Sequence, residues 1–77
     1  MQVELLTPDE VLFNDEAISV SLPGINGRFQ LLNLHAAMVS SLKEGEVRIE
    51  GKDNQNHSFQ IKGGILEIVN NKAIILA

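Results

Sequence analysis

Ile18-Ser19-Val20-Ser21-Leu22 sets apolar side chains against hydroxyls one for one. Successive side chains on a strand leave opposite faces, so the alternation predicts a half-buried strand with Ile18, Val20 and Leu22 toward the core. The pattern returns in Glu46-Val47-Arg48-Ile49-Glu50 and in Ser58-Phe59-Gln60-Ile61-Lys62. Val3-Glu4-Leu5 and Val11-Leu12-Phe13 read as two further strands on either side of Thr7-Pro8-Asp9-Glu10, where proline favours a turn or a sheet edge. Near the end, Gly63-Gly64 predicts a bulge or bend before Ile65-Leu66-Glu67-Ile68-Val69. Asn70-Asn71-Lys72 predicts a tight hairpin into Ala73-Ile74-Ile75-Leu76. Short, frequent strands joined by turn residues point to an all-β fold, two antiparallel sheets packed as a β-sandwich or flattened barrel. Its expected core is Leu5, Phe13, Ile18, Val20, Leu22, Val47, Ile49, Phe59, Ile61, Leu66 and Ile68.

A chain of 77 residues, 44% of them hydrophobic, allows one domain spanning 1–77 with a thin interior. Folding removes roughly 60–65% of the extended-chain surface at this size. With no cysteine, neither a disulfide nor a thiolate metal site can staple the fold. A net charge of −4, with scattered basic residues, argues against nucleic acid, which needs clustered Lys and Arg. No apolar run is long enough to span a membrane as a helix, and no leader pattern precedes the first strand, so a soluble intracellular protein is expected. One segment stays open. In His35-Ala36-Ala37-Met38-Val39-Ser40-Ser41-Leu42-Lys43-Glu44, Ala36, Val39 and Leu42 fit helical spacing, whereas Ala36, Met38 and Leu42 fit one face of a strand.

Motifs for chemistry are weak. Ser40 and Ser41 follow His35 without a nucleophile elbow or oxyanion motif. The pairs Asp9-Glu10 and Asp15-Glu16 read as solvated turn acids. His35, His57 and Asp53 lack metal-ligand spacing, so neither a metal nor a cofactor is expected. Asn56-His57-Ser58 matches a glycosylation sequon in a chain without a secretion signal. Gly24-Ile25-Asn26-Gly27 has the G-x-x-G spacing of a nucleic-acid clamp, but joins strands in an acidic chain. It reads better as turn chemistry, with Pro23-Gly24 at the centre of a type II turn and Asn26-Gly27 at a hairpin tip. Lys72, beside a hairpin, leaves an alternative reading as a small β carrier module modified at that lysine.

As an ordered string, the chain offers Leu6-Thr7-Pro8, Phe13, Pro23-Gly24-x-x-Gly27-x-Phe29, Leu32-x-x-His35-Ala36, Leu42-x-x-Gly45 and Gly63-Gly64-Ile65-Leu66-Glu67. This order and spacing closely resemble the ε subunit of rotary ATP synthases, specifically its N-terminal β-sandwich, along the whole chain. The resemblance implies a non-catalytic central-stalk subunit that binds the γ subunit and rests on the polar loops of the c-ring, coupling proton flow to ATP synthesis. It implies a peripheral position on the cytoplasmic face of a bacterial inner membrane, without insertion into the bilayer.

By the same resemblance Gly24, Ile25, Asn26, Gly27 and Arg28 match the c-ring-facing loop, while Thr7, His35, Ala36 and Ser40 match γ-contact positions. It also implies that the segment after His35 is extended. Two departures stand out: Asn33-Leu34 replaces a common Pro-Gly and Ala37 a common proline, and many relatives carry an acid where Arg28 stands. The family often continues into two C-terminal helices that inhibit ATP hydrolysis and in some members bind ATP. This chain reaches Ala77 directly after the last strand, so those activities are not expected of it.

Overall fold

The alternating runs become eight strands and no helix in the computed structural model, which describes residues 1–77. These are β1 (Gln2–Leu6), β2 (Val11–Gly24), β3 (Gly27–Leu32), β4 (Met38–Leu42), β5 (Gly45–Gly51), β6 (Asn56–Ile61), β7 (Gly64–Val69) and β8 (Lys72–Leu76). They hydrogen-bond in the order β1-β8-β7-β4-β2-β5-β6, with β3 beside β2 and β1 also paired to β2. One layer therefore holds β4, β7, β8, β1 and the first half of β2, and the other holds β3, the second half of β2, β5 and β6. The all-β sandwich expected from the alternation is the fold. One ladder, β1 with β8, is parallel, a pairing that needs a long connection; every strand between them supplies it.

Strand β2 departs most from the sequence reading. Val11-Leu12-Phe13 and Ile18 to Leu22 are one strand of 14 residues, not two. Asn14, Asp15 and Glu16 do not interrupt it because each pairs with β1, opposite Glu4, Val3 and Gln2. The strand then turns from one layer into the other at a bulge: Ala17 lies opposite Gly51 and Ser19 opposite Glu50, leaving Ile18 as the extra residue. That residue shifts the alternation. Ala17 is buried and Ile18 is 39% exposed, so Ile18 does not belong to the core as the alternation predicts.

Elsewhere the period of two places the interior correctly. Val3 and Leu5, Val20 and Leu22, Val47 and Ile49, Leu66 and Ile68, and Ala73 and Ile75 form one buried cluster with Leu31, Leu42 and Ile61. Phe13 and Phe59 are half-buried against it, rings edge to face at 6.3 Å, rather than fully interior. The segment left open by periodicity is extended from Met38 to Leu42. Asn70 and Asn71 adopt φ of 52° and 59° between Val69 and Lys72, the geometry of a two-residue type I′ hairpin. Gly64 sits so close to β8 that any Cβ there would overlap the Leu76 carbonyl oxygen.

Candidate functional site

The hairpin between β2 and β3 is built differently from its sequence signals. Pro23 and Gly24 belong to β2, opposite Arg28 and Gly27, so they do not centre a type II turn. The tip is Ile25-Asn26, and Gly27, at φ 125°, absorbs the return. A Cβ on Gly24 would lie 2.7 Å from the Gly27 carbonyl oxygen and 2.8 Å from the Phe29 ring, which explains a glycine there. Proline is tolerated at 23 because β5 has left the ladder by then, its last pair being Ser21 with Arg48. Ile25, Asn26 and Arg28 are exposed.

Arg28 does not stand free at this tip. Its Nη2 donates to Ser21 Oγ at 3.0 Å and to the Glu46 carbonyl at 2.7 Å, lying across the outer face of β2 and β5. The Glu46 carboxylate beneath accepts from the Ser58 hydroxyl and from Arg48 Nε at 2.5 Å. These bonds, Ser58 first and Arg48 second, hold the Glu46 carboxyl below its ordinary pKa. With Ser19, Gln30, Glu50 and His57 they make the outer face of this layer polar.

The positions matched to γ contacts are spread over the other layer. Thr7 closes its own turn, its hydroxyl accepting from the Glu10 N–H at 3.1 Å. His35 and Ala36 are exposed in the link before β4, and His35 Nδ1 lies 2.7 Å from the Ala36 carbonyl oxygen. Ser40 pairs with Leu66, which pairs with Ile75, so its side chain lies on the inward row. Thr7 lies just past the end of β1, and Ser40 is on β4, three strand steps away, roughly 14 Å at the usual strand spacing.

Val39, within the segment from His35 through Ser40 that the resemblance matches to γ but not singled out there, and Ser41, just beyond it, face outward on β4 opposite Glu67 and Ile65. Counting by twos back from buried Leu42 puts both on the outer face, a signal that emerges only once the segment is known to be a strand. Leu34, where the ε pattern commonly has glycine, was missed by sequence reasoning. It adopts φ 62° with 83% of its surface exposed, and its N–H donates to Asn71 Oδ1 at 2.8 Å.

The hairpin and β4 adjoin directly. Gly24 pairs with Leu42, the Ile25 N–H donates to the Ser41 carbonyl at 3.2 Å, and the Lys43 N–H to the Pro23 carbonyl at 2.8 Å. The hairpin matched to the c-ring is thus joined by backbone bonds to the end of β4, the strand that carries Ser40. At the other hairpin, Asn70 and Asn71 occupy the tip, and Lys72, already in β8, places Nζ 2.8 Å from Glu4 Oε1. No helix is long and apolar enough to cross a membrane.

Comparison with known proteins converges on one family. The profile described as "ATP synthase, Delta/Epsilon chain, beta-sandwich domain" matches residues 1–77. The ATP synthase epsilon chain of Chlorobium limicola is 41% identical over 75 residues, covering 97% of this chain and 85% of that one. The epsilon chain of Chlorobaculum tepidum is 43% identical over 74 residues, 96% of this chain and 84% of its own. That of Sulfurimonas denitrificans is 38% identical over 99% of this chain but only 58% of its own. In fold, the chain superposes on part of the Euglena gracilis mitochondrial ATP synthase with a TM-score of 0.90 at 19% identity, covering 97% of this chain and 48% of that one.

Proposed function

Since this chain belongs to the ATP synthase delta/epsilon β-sandwich family, we propose that it is a non-catalytic rotor subunit that docks γ onto the c-ring and so couples proton flow to ATP synthesis. The observation that carries this reading is the junction between the two matched surfaces: the Gly24–Arg28 hairpin is bonded straight onto β4. A part that must turn with two partners at once needs its two contact surfaces fixed relative to each other, and backbone bonds between them do that. The hairpin, through Ile25, Asn26 and Arg28, faces the polar loops of the ring. The link carrying His35 and Ala36, with β4, faces γ, and Thr7 adds a contact from the far side of the layer. The subunit sits peripherally at the cytoplasmic face of a bacterial inner membrane.

The carrier alternative gains nothing from the geometry, because the hairpin tip is Asn-Asn and the Lys72 ammonium is engaged by Glu4. Affinity purification of the tagged chain from its own cells tests the proposal. Stoichiometric γ and c subunits are the expected companions. Their absence from a preparation in which the remaining ATP synthase is intact overturns it, and intact-mass detection of lipoate or biotin on Lys72 favours the carrier.

A further inference from the structure

We infer that β4 takes up its partner by main-chain pairing: an extended segment of the partner adds as a strand along the free edge of β4, centred on Val39. This rests on the docking of γ proposed above and specifies how it occurs. The Ser41 carbonyl accepts from Ile25 and so points away from β7. In a strand the N–H and C=O of one residue point the same way and those of the next the opposite way. Met38, Ser40 and Leu42 therefore bond to β7, while both polar groups of Val39 and the N–H of Ser41 point to the open side. No strand pairs with them there, since β2 meets β4 only at Leu42.

Edge strands are usually guarded by charge, proline or a covering element. β3 carries Arg28 and β6 runs directly into Lys62. β4 is less guarded: Lys43 follows its end, at the side where the hairpin bonds to it, but no residue from Phe29 to Leu42 carries a formal charge, and proline is absent from that stretch. Val39 is 68% exposed beside this edge, and Leu34, strained and exposed, lies just before it. Strain of this kind persists where the surrounding structure holds it and tends to collect at contact sites. Here Asn71 holds it.

The occupant is a neutral to basic segment of another polypeptide with apolar residues at alternate positions. A second copy of this chain is disfavoured, because it brings together two molecules each of net charge −4, and Glu67 flanks Val39 on the same face. A segment with a basic residue beside its apolar one meets both Val39 and Glu67. This is β-strand addition, in which backbone bonds give affinity and alternate side chains give specificity.

Amide hydrogen exchange of the whole chain, alone and with purified γ, reads the inference directly. The Val39 and Ser41 amides are expected to slow by about a hundredfold or more in the complex, as buried ladder bonds do. Val39→Pro removes an N–H that no internal ladder uses, so the melting temperature should hold while γ affinity falls about tenfold or more. Val39→Ala, which keeps the N–H, should lose less. If γ binds and these amides stay open, or Val39→Pro binds normally, strand addition is wrong while docking stands. Failure of the wild-type chain to bind γ removes both readings. Concentration-dependent dimers of the chain alone, with the same amides protected, overturn the assignment to another polypeptide. Should Val39→Pro not fold, the exchange measurement on the wild-type complex still decides.

Discussion

The bulge at Ala17–Ser19 makes a quantitative prediction, because it reverses which residues of β2 support the fold. Leu22 is fully buried, so Leu22→Ala removes about three methylene equivalents, roughly 2.4 kcal/mol of transfer free energy at about 0.8 kcal/mol each. The cavity left in a thin core raises the total to about 3–4 kcal/mol. Ile18, four residues earlier and in phase with Leu22, has more than a third of its surface in water and leaves no closed cavity, so Ile18→Ala should cost about 1 kcal/mol or less. Ala17→Leu, by contrast, forces a larger side chain into a buried site and should cost about 1–3 kcal/mol. A domain of this size has a total stability of only about 4–12 kcal/mol, so these differences are wide against it. Urea unfolding of the four proteins, followed by circular dichroism with a shared m-value, gives the order directly. Equal losses for Ile18→Ala and Leu22→Ala, with Ala17→Leu neutral, would refute the bulge and restore the uninterrupted alternation.

Other outcomes follow from the turns and surface. Arg28→Glu places a carboxylate against Ser21 and beside Glu46; it should lower ATP-driven proton pumping while moving the melting temperature by only a few degrees, and normal pumping in the assembled mutant enzyme would count against the hairpin contact. Asn71→Ala loses both tolerance of a left-handed φ and the acceptor for Leu34, so about 1–2 kcal/mol should be lost in equilibrium unfolding, with Asn71→Gly recovering only the backbone part. Asp15, lowered chiefly by the Glu16 N–H and then by Lys52, and Glu46 both have folded pKa values below their ordinary 3.8 and 4.5. Their contribution is present above those values and is lost as pH falls through the lower folded ones, so the melting temperature should drop on acidification from about pH 5 downward. Neutralising both, as Asp15→Asn with Glu46→Gln, should flatten that drop.

Legibility in the sequence followed the physics of each element. Val47 and Ile49 could be read because a flat strand with one wet face imposes strict alternation, and Asn70-Asn71 because few residue pairs accept two left-handed conformations in a row. Ile18 could not, since a bulge is set by the partner strand's register, and Gly51 lies 34 residues from its partner Ala17. The role of Arg28 was hidden for the same reason: Ser21 and Glu46 reach it only after β2, β3 and β5 assemble. Which side of β4 is open depends on Ile25 bonding to Ser41, a contact between a turn and a distant strand that periodicity cannot encode.

Because β2 passes through both layers, a force entering at the Ile25-Asn26 tip runs along a strand fastened to β1 over its first half and to β3 and β5 over its second. Bonds in an antiparallel ladder lie across the strand axis, so pulling along β2 loads them side by side, in shear. A hairpin peeled from its end would instead give way one bond at a time. In the rotor role proposed above, the tip would hand its load to both sheets at once, and a single broken bond would not start an unzipping.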